Sequence, residues 1–439
     1  MKKALIVLLL LTLIISGGLF ANGKKESASA AAPETVAKAQ PVAIEIYYPV
    51  AVDAPIAKIL AGYIADFQKE NPNITVKPVF SGGYGDVKTA VQTTFEGGGK
   101  APAMAVMLAT DLYDLINAGY ILPLDNLLAK VPDKAGYLND IFPSFLENSK
   151  YNGKLWSIPF QRSAVVMYYN KDLFKEAGLD APDSWDSLAA AAQKLTIPGK
   201  RWGIEWPSGW PYWLFQPLAI GAGQNIVGDS DTEVIFDNPK VIDAVNFYIS
   251  LSKKYKATPA GVQGSWGAVP TNFANGSTAM IVHSTGSLTG IIKQAGFDVG
   301  VMPIPGKKKG TYASVPGGGN FYLLKGASDA EQEAAIKFAY FVTQPKYAAD
   351  FSTKTGYIAV RKSAYNEPVM KDYLAKVPQA ADTRDALKYA GKELSLQDLG
   401  EVRNIFHKNL QAAYSGTVTA AEAMAKAQQE ADAALKDFK

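Results

Sequence analysis

Few residues in this sequence could carry out covalent chemistry. The chain contains two histidines, His283 and His407, and no cysteine, which excludes cysteine nucleophiles, thiolate zinc sites and disulfides. A serine hydrolase of the α/β type needs the G-x-S-x-G turn, and the sequence contains none. A glycoside hydrolase needs only two suitably spaced carboxylates, and the 41 acidic residues leave that possibility open.

No cofactor or metal is predicted. The run Asp-Ser-Asp-Thr-Glu at 229–233 lacks the central glycine and the distal glutamate of a calcium loop. Gly-Ala-Gly at 221–223 lacks the third glycine of a dinucleotide-binding turn, and Gly-Lys-Lys-Lys-Gly at 306–310 is a charged turn.

Aromatic residues offer a different kind of chemistry. All seven tryptophans fall between positions 150 and 270, and the run Trp-Pro-Tyr-Trp occupies 210–213. Flat aromatic faces pack against the C–H faces of sugars or against a choline-like cation. The same side chains also fill cores, because tryptophan buries a large apolar area. The sequence leaves both interpretations open for each tryptophan at 202–213.

The first third of the chain predicts the elements that would hold such a site. An alternating start at 44–48 and the run at 74–80 are typical of strands, and the continuous apolar run at 103–108 is typical of a buried parallel strand. Apolar residues spaced by three and four at 56–67 predict a helix. A second helix is expected around 86–95. This order of strand, helix, strand, helix, strand indicates an α/β domain with a parallel sheet. Further strands are predicted at 279–282, 297–304 and 320–324, with helices from 329 to the end.

The N-terminus has the order of a secretory signal peptide. Lys2 and Lys3 precede an apolar run from Ala4 to Ile15, and a small residue, Ala21, follows at the expected cleavage point. We therefore expect a signal peptide at 1–21, a flexible tether at 22–41, and a periplasmic protein without a lipid anchor, since a lipoprotein signal requires a cysteine.

Length and charge limit the remaining possibilities. About 400 residues beyond the tether predict two domains. Removing Lys2 and Lys3 with the signal takes the formal net charge from +3 to +1, which argues against a nucleic-acid-binding surface.

Three motifs, in this order, carry a family resemblance: Y-Y-N-K-D at 168–172, F-x-x-G-x-x-A-M at 273–280 and K-T-G-Y at 354–357. Together they resemble the extracellular solute-binding proteins of bacterial ABC importers for sugars, and within these the glycerol-3-phosphate and glycerophosphodiester binders. The resemblance runs from about residue 42 to about residue 430. It implies an α/β fold with two lobes of the type II-like periplasmic-binding-protein kind, a hinge of several crossing segments, and extra C-terminal helices. Lobe one would comprise 42–121 and 279–327, and lobe two 123–277 and 329–439.

The resemblance also implies a ligand site in the cleft between the lobes. Arg403 would bind phosphate, while Arg162 is a cation where the family shows small hydroxyl residues. A carboxylate expected after the third strand is replaced by Ala109, with Thr110 and Asp111 beside it. Arg403 also admits a plainer interpretation as a solvated or salt-bridged helix residue. The expected ligand-binding residues are Tyr84, Arg162, Ser163, Trp210, Trp213, Ser284, Gly286, Ser287, Gly318, Tyr357 and Arg403.

The expected function is therefore capture of a sugar, sugar derivative or glycerophosphate and its delivery to an ABC permease, by a monomer that catalyses no reaction. The alternative is a secreted glycoside hydrolase that uses a carboxylate pair. A rigid adhesin would not need two lobes joined by several crossings.

Overall fold

The N-terminal alternation of strands and helices forms as predicted. In the computed structural model, which describes residues 40–261 and 263–439, β1 pairs in parallel with β2 and with β3. The apolar stripe of α1 turns inward and buries Ile59, Tyr63 and Phe67, as its spacing requires. The five elements are β1 (Val42–Tyr48), α1 (Ile56–Glu70), β2 (Ile74–Phe80), α2 (Tyr84–Glu96) and β3 (Met104–Leu108).

The remaining strands range in length from the two residues of β4 to the 14 residues of β6. They are β4 (Lys150–Tyr151), β5 (Lys154–Leu155), β6 (Ser157–Asn170), β7 (Met280–Ser284), β8 (Val299–Met302), β9 (Ile304–Pro305), β10 (Tyr312–Ala313) and β11 (Pro316–Leu323).

Helices make up most of the rest of the chain. They are α3 (Leu112–Asn117), α4 (Asp125–Leu128), α5 (Lys134–Asp140), α6 (Pro143–Leu146), α7 (Lys171–Glu176), α8 (Trp185–Leu195), α9 (Pro211–Ala222), α10 (Pro239–Lys253), α11 (Ala268–Ala274), α12 (Leu288–Gln294), α13 (Asp329–Val342), α14 (Pro345–Thr355), α15 (Pro368–Lys376), α16 (Gln379–Asp385), α17 (Leu399–Ser415) and α18 (Ala420–Ala434).

The 14-residue strand β6 links two parts of a seven-stranded sheet whose main path runs β2-β1-β3-β11-β6-β7. Its first part, Ser157 to Ala164, pairs antiparallel with β11, which in turn pairs antiparallel with β3. Its second part, Val165 to Asn170, pairs antiparallel with β7 and β8. At about 3.3 Å per residue, β6 is long enough to pass from one hydrophobic core into another.

Two large hydrophobic cores lie along this strand. The first core packs β1, β2 and β3 with α1, α13 and α14, and it includes Phe67, Phe160 and Phe338. The second core packs α8, α9, α10, α17 and α18 against Val165 and Met167 of β6. The alternate β6 residues, Val166 and Tyr168, face a smaller cluster with β7, β8 and α12, as the two-residue period of a strand dictates.

The cores group the chain differently from the lobe boundaries expected from the sequence. The strands β7 and β8, expected in lobe one, pair with the second part of β6 and pack with the second core and its neighbouring cluster. Helices α13 and α14, expected in lobe two, belong to the first core, where the rings of Phe67 and Phe338 meet edge to face at 5.2 Å. Antiparallel pairing between segments distant in the chain decides this grouping.

The predicted signal peptide at 1–21 and all but the last two residues of the tether at 22–41 lie outside the described residues. Within 40–261 and 263–439, none of the helices combines the length and apolar character that crossing a membrane requires. The same ranges hold no group of three or more His, Asp or Glu side chains placed to bind a metal ion.

Candidate ligand-binding site

A cavity of about 200 Å³ lies where the two cores meet. Tyr84 and Tyr357 on its wall belong to the first core, while Tyr212 and Trp213 belong to the second. The cavity is therefore built jointly by both cores. Its lining consists of Ala51, Val52, Gly83, Tyr84, Leu108, Ser163, Trp210, Tyr212, Trp213, Trp266, Ser284, Gly318, Tyr357 and Glu393.

Two tyrosines form the wall on the side of the first core. The hydroxyl of Tyr84 donates to Oε1 of Gln161 at 3.0 Å and lies 3.3 Å from the hydroxyl of Tyr357. Each tyrosine follows a glycine-dependent turn, because Gly82 (φ 79°) precedes α2 and Gly356 (φ 87°) ends α14 in the left-handed conformation. Burial raises the pKa of Tyr357 to about 12, so its hydroxyl stays protonated and can donate a hydrogen bond.

Three indoles form the opposite wall. Trp210 immediately precedes α9 and has a left-handed backbone (φ 57°), a conformation that costs about 1–3 kcal/mol in a residue other than glycine. The indole Nε1–H of Trp213 donates to the carbonyl of Pro316 at 2.8 Å. The rings of Trp213 and Trp266 lie 6.3 Å apart between centroids. A strained aromatic residue held at a cavity wall is typical of a functional position.

The glycine run 317–319 of β11 makes room for these rings. A Cβ at Gly317 would lie 2.4 Å from the Trp213 ring, and one at Gly319 would lie 2.5 Å from the Tyr84 ring. Gly318 has a φ of 94°, and a Cβ there would lie 2.0 Å from the carbonyl oxygen of Gln161. The run therefore lets both aromatic walls approach the sheet closely.

Glu393 is the one acidic side chain among the described residues of the cavity wall. Its carboxyl group accepts a hydrogen bond from Nδ2 of Asn148 at 2.6 Å. Burial raises its pKa from 4.5 to about 8, although the charge of Arg162 acts in the opposite direction.

The backbone on either side of Glu393 is fixed to α9. The carbonyl of Lys392 accepts from Nε2 of Gln216 and from Nδ2 of Asn225, each at 2.8 Å. The N–H of Leu394 donates to Oε1 of Gln216 at 3.2 Å. Glu393 is thus held by the second core, while its carboxyl group reaches Asn148, which lies just past α6 and next to the first core.

Arg162 lies behind this wall and is fully buried, with 0% of its surface exposed. Its Nη1 donates to Oδ1 of Asn320 at 3.2 Å and to the carbonyl of Gly318 at 3.4 Å, and its guanidinium lies over the Phe145 ring. Its Nη2 lies 3.8 Å from Oε2 of Glu393. Within the described residues, Nε and Nη2 make no hydrogen bond.

Seven of the eleven expected site residues line the cavity: Tyr84, Ser163, Trp210, Trp213, Ser284, Gly318 and Tyr357. They come from separate segments that the sheet and the helix starts bring together. The hydroxyl of Ser163 makes no hydrogen bond to another described residue, whereas Oγ of Ser284 accepts from the N–H of Gly286 at 3.1 Å.

The other four expected residues do not line the cavity. Arg162 is behind the wall, and the guanidinium carbon of Arg403 lies 5.8 Å from the Trp210 ring centroid. Gly286 lies just outside the lining, where a Cβ would be 3.4 Å from the Tyr357 ring. Oγ of Ser287 lies 2.8 Å from Nδ1 of the buried His283.

The two residues next to Ala109 do not supply a carboxylate to the cavity. Asp111 is buried and pairs with Nζ of Lys88 at 3.0 Å. Thr110 is buried outside the lining. Glu393 provides the carboxyl group instead, from a different part of the chain.

Sequence reasoning missed several lining residues, chiefly Tyr212, Trp266 and Glu393. Tyr212 lies inside the Trp-Pro-Tyr-Trp run, and Trp266 belongs to the same group of tryptophans, so both carried an aromatic signal. Glu393 carried none, because it lies between helices in a segment without a strand or helix pattern.

A larger groove of about 820 Å³ lies between α1, α14 and α15. Its polar side chains already pair with one another: Tyr63 donates to Asp350 at 2.7 Å, and Lys354 does so at the same distance. Because it borders one core only, we assign the ligand site to the smaller cavity.

The sequence is similar to a family of solute-binding proteins and to two periplasmic binding proteins. The family model described as bacterial extracellular solute-binding protein matches residues 62–379. The sn-glycerol-3-phosphate-binding periplasmic protein UgpB of Pectobacterium atrosepticum is 27% identical over 401 residues, which cover 85% of this chain and 87% of that protein. UgpB of Escherichia coli strain K12 is 28% identical over 400 residues, covering 85% and 88%.

Solved structures agree with the fold. UgpB from Mycobacterium tuberculosis, in complex with glycerophosphocholine, superposes with a TM-score of 0.79 at 25% identity and covers 90% of this chain and 98% of its own. Maltose-bound MalE3 of T. maritima has a TM-score of 0.77 at 22% identity, covering 91% and 100%. The predicted α/β fold of periplasmic solute-binding proteins is confirmed.

Proposed function

This chain belongs to the family of bacterial extracellular solute-binding proteins, and we propose that it captures a carbohydrate-type or glycerophosphate-type solute in the aromatic cavity and delivers it to an ABC importer. The observation that carries this proposal is the joint construction of the cavity by the two cores. A solute between them contacts Tyr84 and Tyr357 on one side and the indoles on the other.

Such an arrangement couples binding to closure. A ligand that touches both cores stabilises the closed arrangement over an open one, by the difference in its affinity for the two. Bending where β6 and β11 pass between the cores would open the cavity, as in hinged binding proteins. The importer can then distinguish the solute-bound protein by its closed conformation.

The lining supports binding rather than hydrolysis. A glycosidase uses two carboxyl groups on either side of the bond that it cleaves. Among the described lining residues, Glu393 is the single acid. Family membership likewise favours solute binding over the glycoside hydrolase alternative, so we propose that the protein catalyses no reaction.

The named relatives are periplasmic proteins. We propose the same compartment for this chain, reached through the signal peptide at 1–21 and without a lipid anchor. We further propose that it acts as a monomer and that its partner is the permease of an ABC importer.

A thermal-shift screen tests the proposal. The panel holds glucose, maltose, trehalose, glycerol, glycerol 3-phosphate and glycerophosphocholine. A ligand that binds only the folded protein at 100 times its Kd stabilises it by about 2.7 kcal/mol and raises Tm. We expect a shift with at least one of these solutes. No shift with any of them, together with hydrolysis of a chromogenic glycoside, would favour the hydrolase instead.

A further inference from the structure

Helix α9 begins at the cavity wall, and its start carries three of the aromatic side chains that line the cavity. Trp210 immediately precedes the helix, and Tyr212 and Trp213 lie in its first turn. The orientation of these rings therefore depends on how the start of α9 is held.

The start of α9 has no cap from its own side chains. The first N–H groups of a helix find no acceptor within the helix, and the side chain of Trp210 does not cap them. Pro211 has no N–H, and the N–H groups of Trp213 and Leu214 each donate to the carbonyl of Trp210 at 3.1 Å. The N–H of Tyr212 is left to find an acceptor elsewhere. The left-handed backbone of Trp210 (φ 57°) likewise persists only where the surroundings hold it.

His407 of α17 supplies the missing acceptor. Its Nε2 accepts a hydrogen bond from the N–H of Tyr212 at 3.2 Å, and its ring stacks on the Tyr212 ring at 5.5 Å between centroids. Burial lowers the pKa of His407 to about 4, and the positive charge of Arg403 acts in the same direction. The imidazole is therefore neutral at pH 7, and its Nε2 can accept.

Arg403 lies one turn before His407 on α17 and contacts the neighbouring ring. Residues four apart share one face of a helix, and the guanidinium carbon of Arg403 lies 5.8 Å from the Trp210 ring centroid. Helix α17 is itself fixed to α9, because Phe406 is fully buried and its ring lies 5.5 Å from that of Phe215. One face of α17 thus holds both the backbone and the rings at the start of α9.

We infer that His407 is a positioning residue for solute binding: it lies outside the cavity lining and, through the N–H of Tyr212, fixes the start of α9 so that the Trp210 ring lines the cavity. The inference rests on the proposed function and adds to it a residue that does not touch the solute. The role requires an acceptor atom at position 407.

Two variants separate the acceptor atom from the packing of the ring. His407→Gln keeps an acceptor oxygen, whereas His407→Leu fills the space without one. We expect His407→Leu to weaken solute binding about 10-fold, while His407→Gln stays within about 3-fold of wild type, because one hydrogen bond separates them. A role in packing alone would lower Tm in both variants and leave their affinities alike.

The titrations use the six solutes of the thermal-shift panel, well below the Tm of each variant. Asn404→Leu is the matched control, since Asn404 is exposed on the same helix, and it should leave the affinity unchanged. His407→Phe keeps a stacked ring without an acceptor and gives the same comparison if His407→Leu does not fold.

Circular dichroism in the near ultraviolet gives a readout that needs no solute. We expect His407→Leu to change the tryptophan region of the spectrum and His407→Gln to leave it as in wild type. In a Trp210→Phe background the change should be much smaller, because the indole that His407 positions is absent.

The outcomes separate the two proposals. Equal affinities in His407→Leu and His407→Gln, with unchanged tryptophan spectra, would overturn the positioning role and leave solute binding intact. A lack of binding by the wild-type protein to every solute of the panel would overturn the proposed function, and the role of His407 in binding with it.

Discussion

The Nη2 atom of Arg162 lies 3.8 Å from Oε2 of Glu393, and this pair connects the two cores beside the ligand cavity. Arg162 comes from the part of β6 that pairs with β11, and Glu393 from a segment fixed to α9. Both side chains are buried. The Arg162 guanidinium, whose Nε and Nη2 make no hydrogen bond within the described residues, therefore has the Glu393 carboxyl group as its nearby acidic partner.

Removing the arginine alone should destabilise the protein. We expect Arg162→Met to lower the free energy of unfolding by about 3–5 kcal/mol at pH 9, where the Glu393 carboxyl group is ionised and would be left buried without its partner. The double variant Arg162→Met/Glu393→Gln should recover much of that loss. Urea denaturation at pH 9 provides the measurement, and a double variant whose loss equals the sum of the two single losses would contradict the coupling.

The pH dependence of stability should carry the signature of Glu393. Burial raises the pKa of this carboxyl from 4.5 to about 8, so the folded protein holds the proton more tightly than the unfolded chain. Its contribution is fully present below about pH 4.5 and is lost as the pH rises through about 8. Wild type should therefore lose stability relative to Glu393→Gln between pH 5 and pH 8, and parallel curves would refute the assignment.

The tryptophans on the wall should separate into two classes. Trp213 is buried in the second core and bonded to Pro316, so Trp213→Ala should cost about 3–5 kcal/mol of stability as well as affinity. Trp210 only packs against that core, and Trp210→Ala should weaken ligand binding 10-fold or more with a small change in Tm. Calorimetry and thermal melts on both variants check this, and equal drops in Tm would be inconsistent with it.

Two serines of the predicted site should behave differently. The carbonyl of Trp266 can only accept, so Nε2 of His283 donates to it at 3.0 Å, and Nδ1 accepts from the Ser287 hydroxyl. Ser287→Ala should cost about 1 kcal/mol of stability and leave affinity unchanged. Ser163→Ala should weaken ligand binding about 3- to 10-fold, because Ser163 lines the cavity and its hydroxyl can exchange a hydrogen bond with the solute. A reversed pattern in the titrations would place the ligand elsewhere.

The left-handed glycine of β11 should resist substitution. A Cβ at Gly318 meets the carbonyl of Gln161 at 2.0 Å, so Gly318→Ala should lower the free energy of unfolding by at least about 1–3 kcal/mol. Gly296→Ala is the matched control, since a Cβ there has no neighbour within 4 Å. Similar melting curves for the two variants would show that the strand tolerates the change.

Local patterns predicted the N-terminal half of the first core well. The spacing of Ile59, Tyr63 and Phe67 has one interpretation, a helix with one buried face, and α1 forms it. The strand β6 gave no such signal, because nearly all of its residues are buried and Pro159 and Arg162 interrupt its apolar run. Lobe boundaries depend on how distant strands pair, which local periodicity does not encode.

The candidate site likewise contains residues that local sequence patterns predict and residues that depend on contacts between distant segments. The sequence predicts Tyr84 and Tyr357 through their glycine-flanked turns, and Trp210 and Trp213 through the Trp-Pro-Tyr-Trp run, each together with the family resemblance. The presence of Glu393 on the cavity wall could not be predicted, because whether Arg162, Arg403 or Glu393 lines the cavity depends on contacts between segments far apart in the chain.

A crystal structure with the solute that raises Tm most would be the most direct test. We predict that the solute lies between Trp210 and Tyr357, with a hydroxyl group within hydrogen-bonding distance of Glu393. A solute bound instead in the groove between α1 and α14, with the aromatic cavity holding only water, would contradict the assignment of the site.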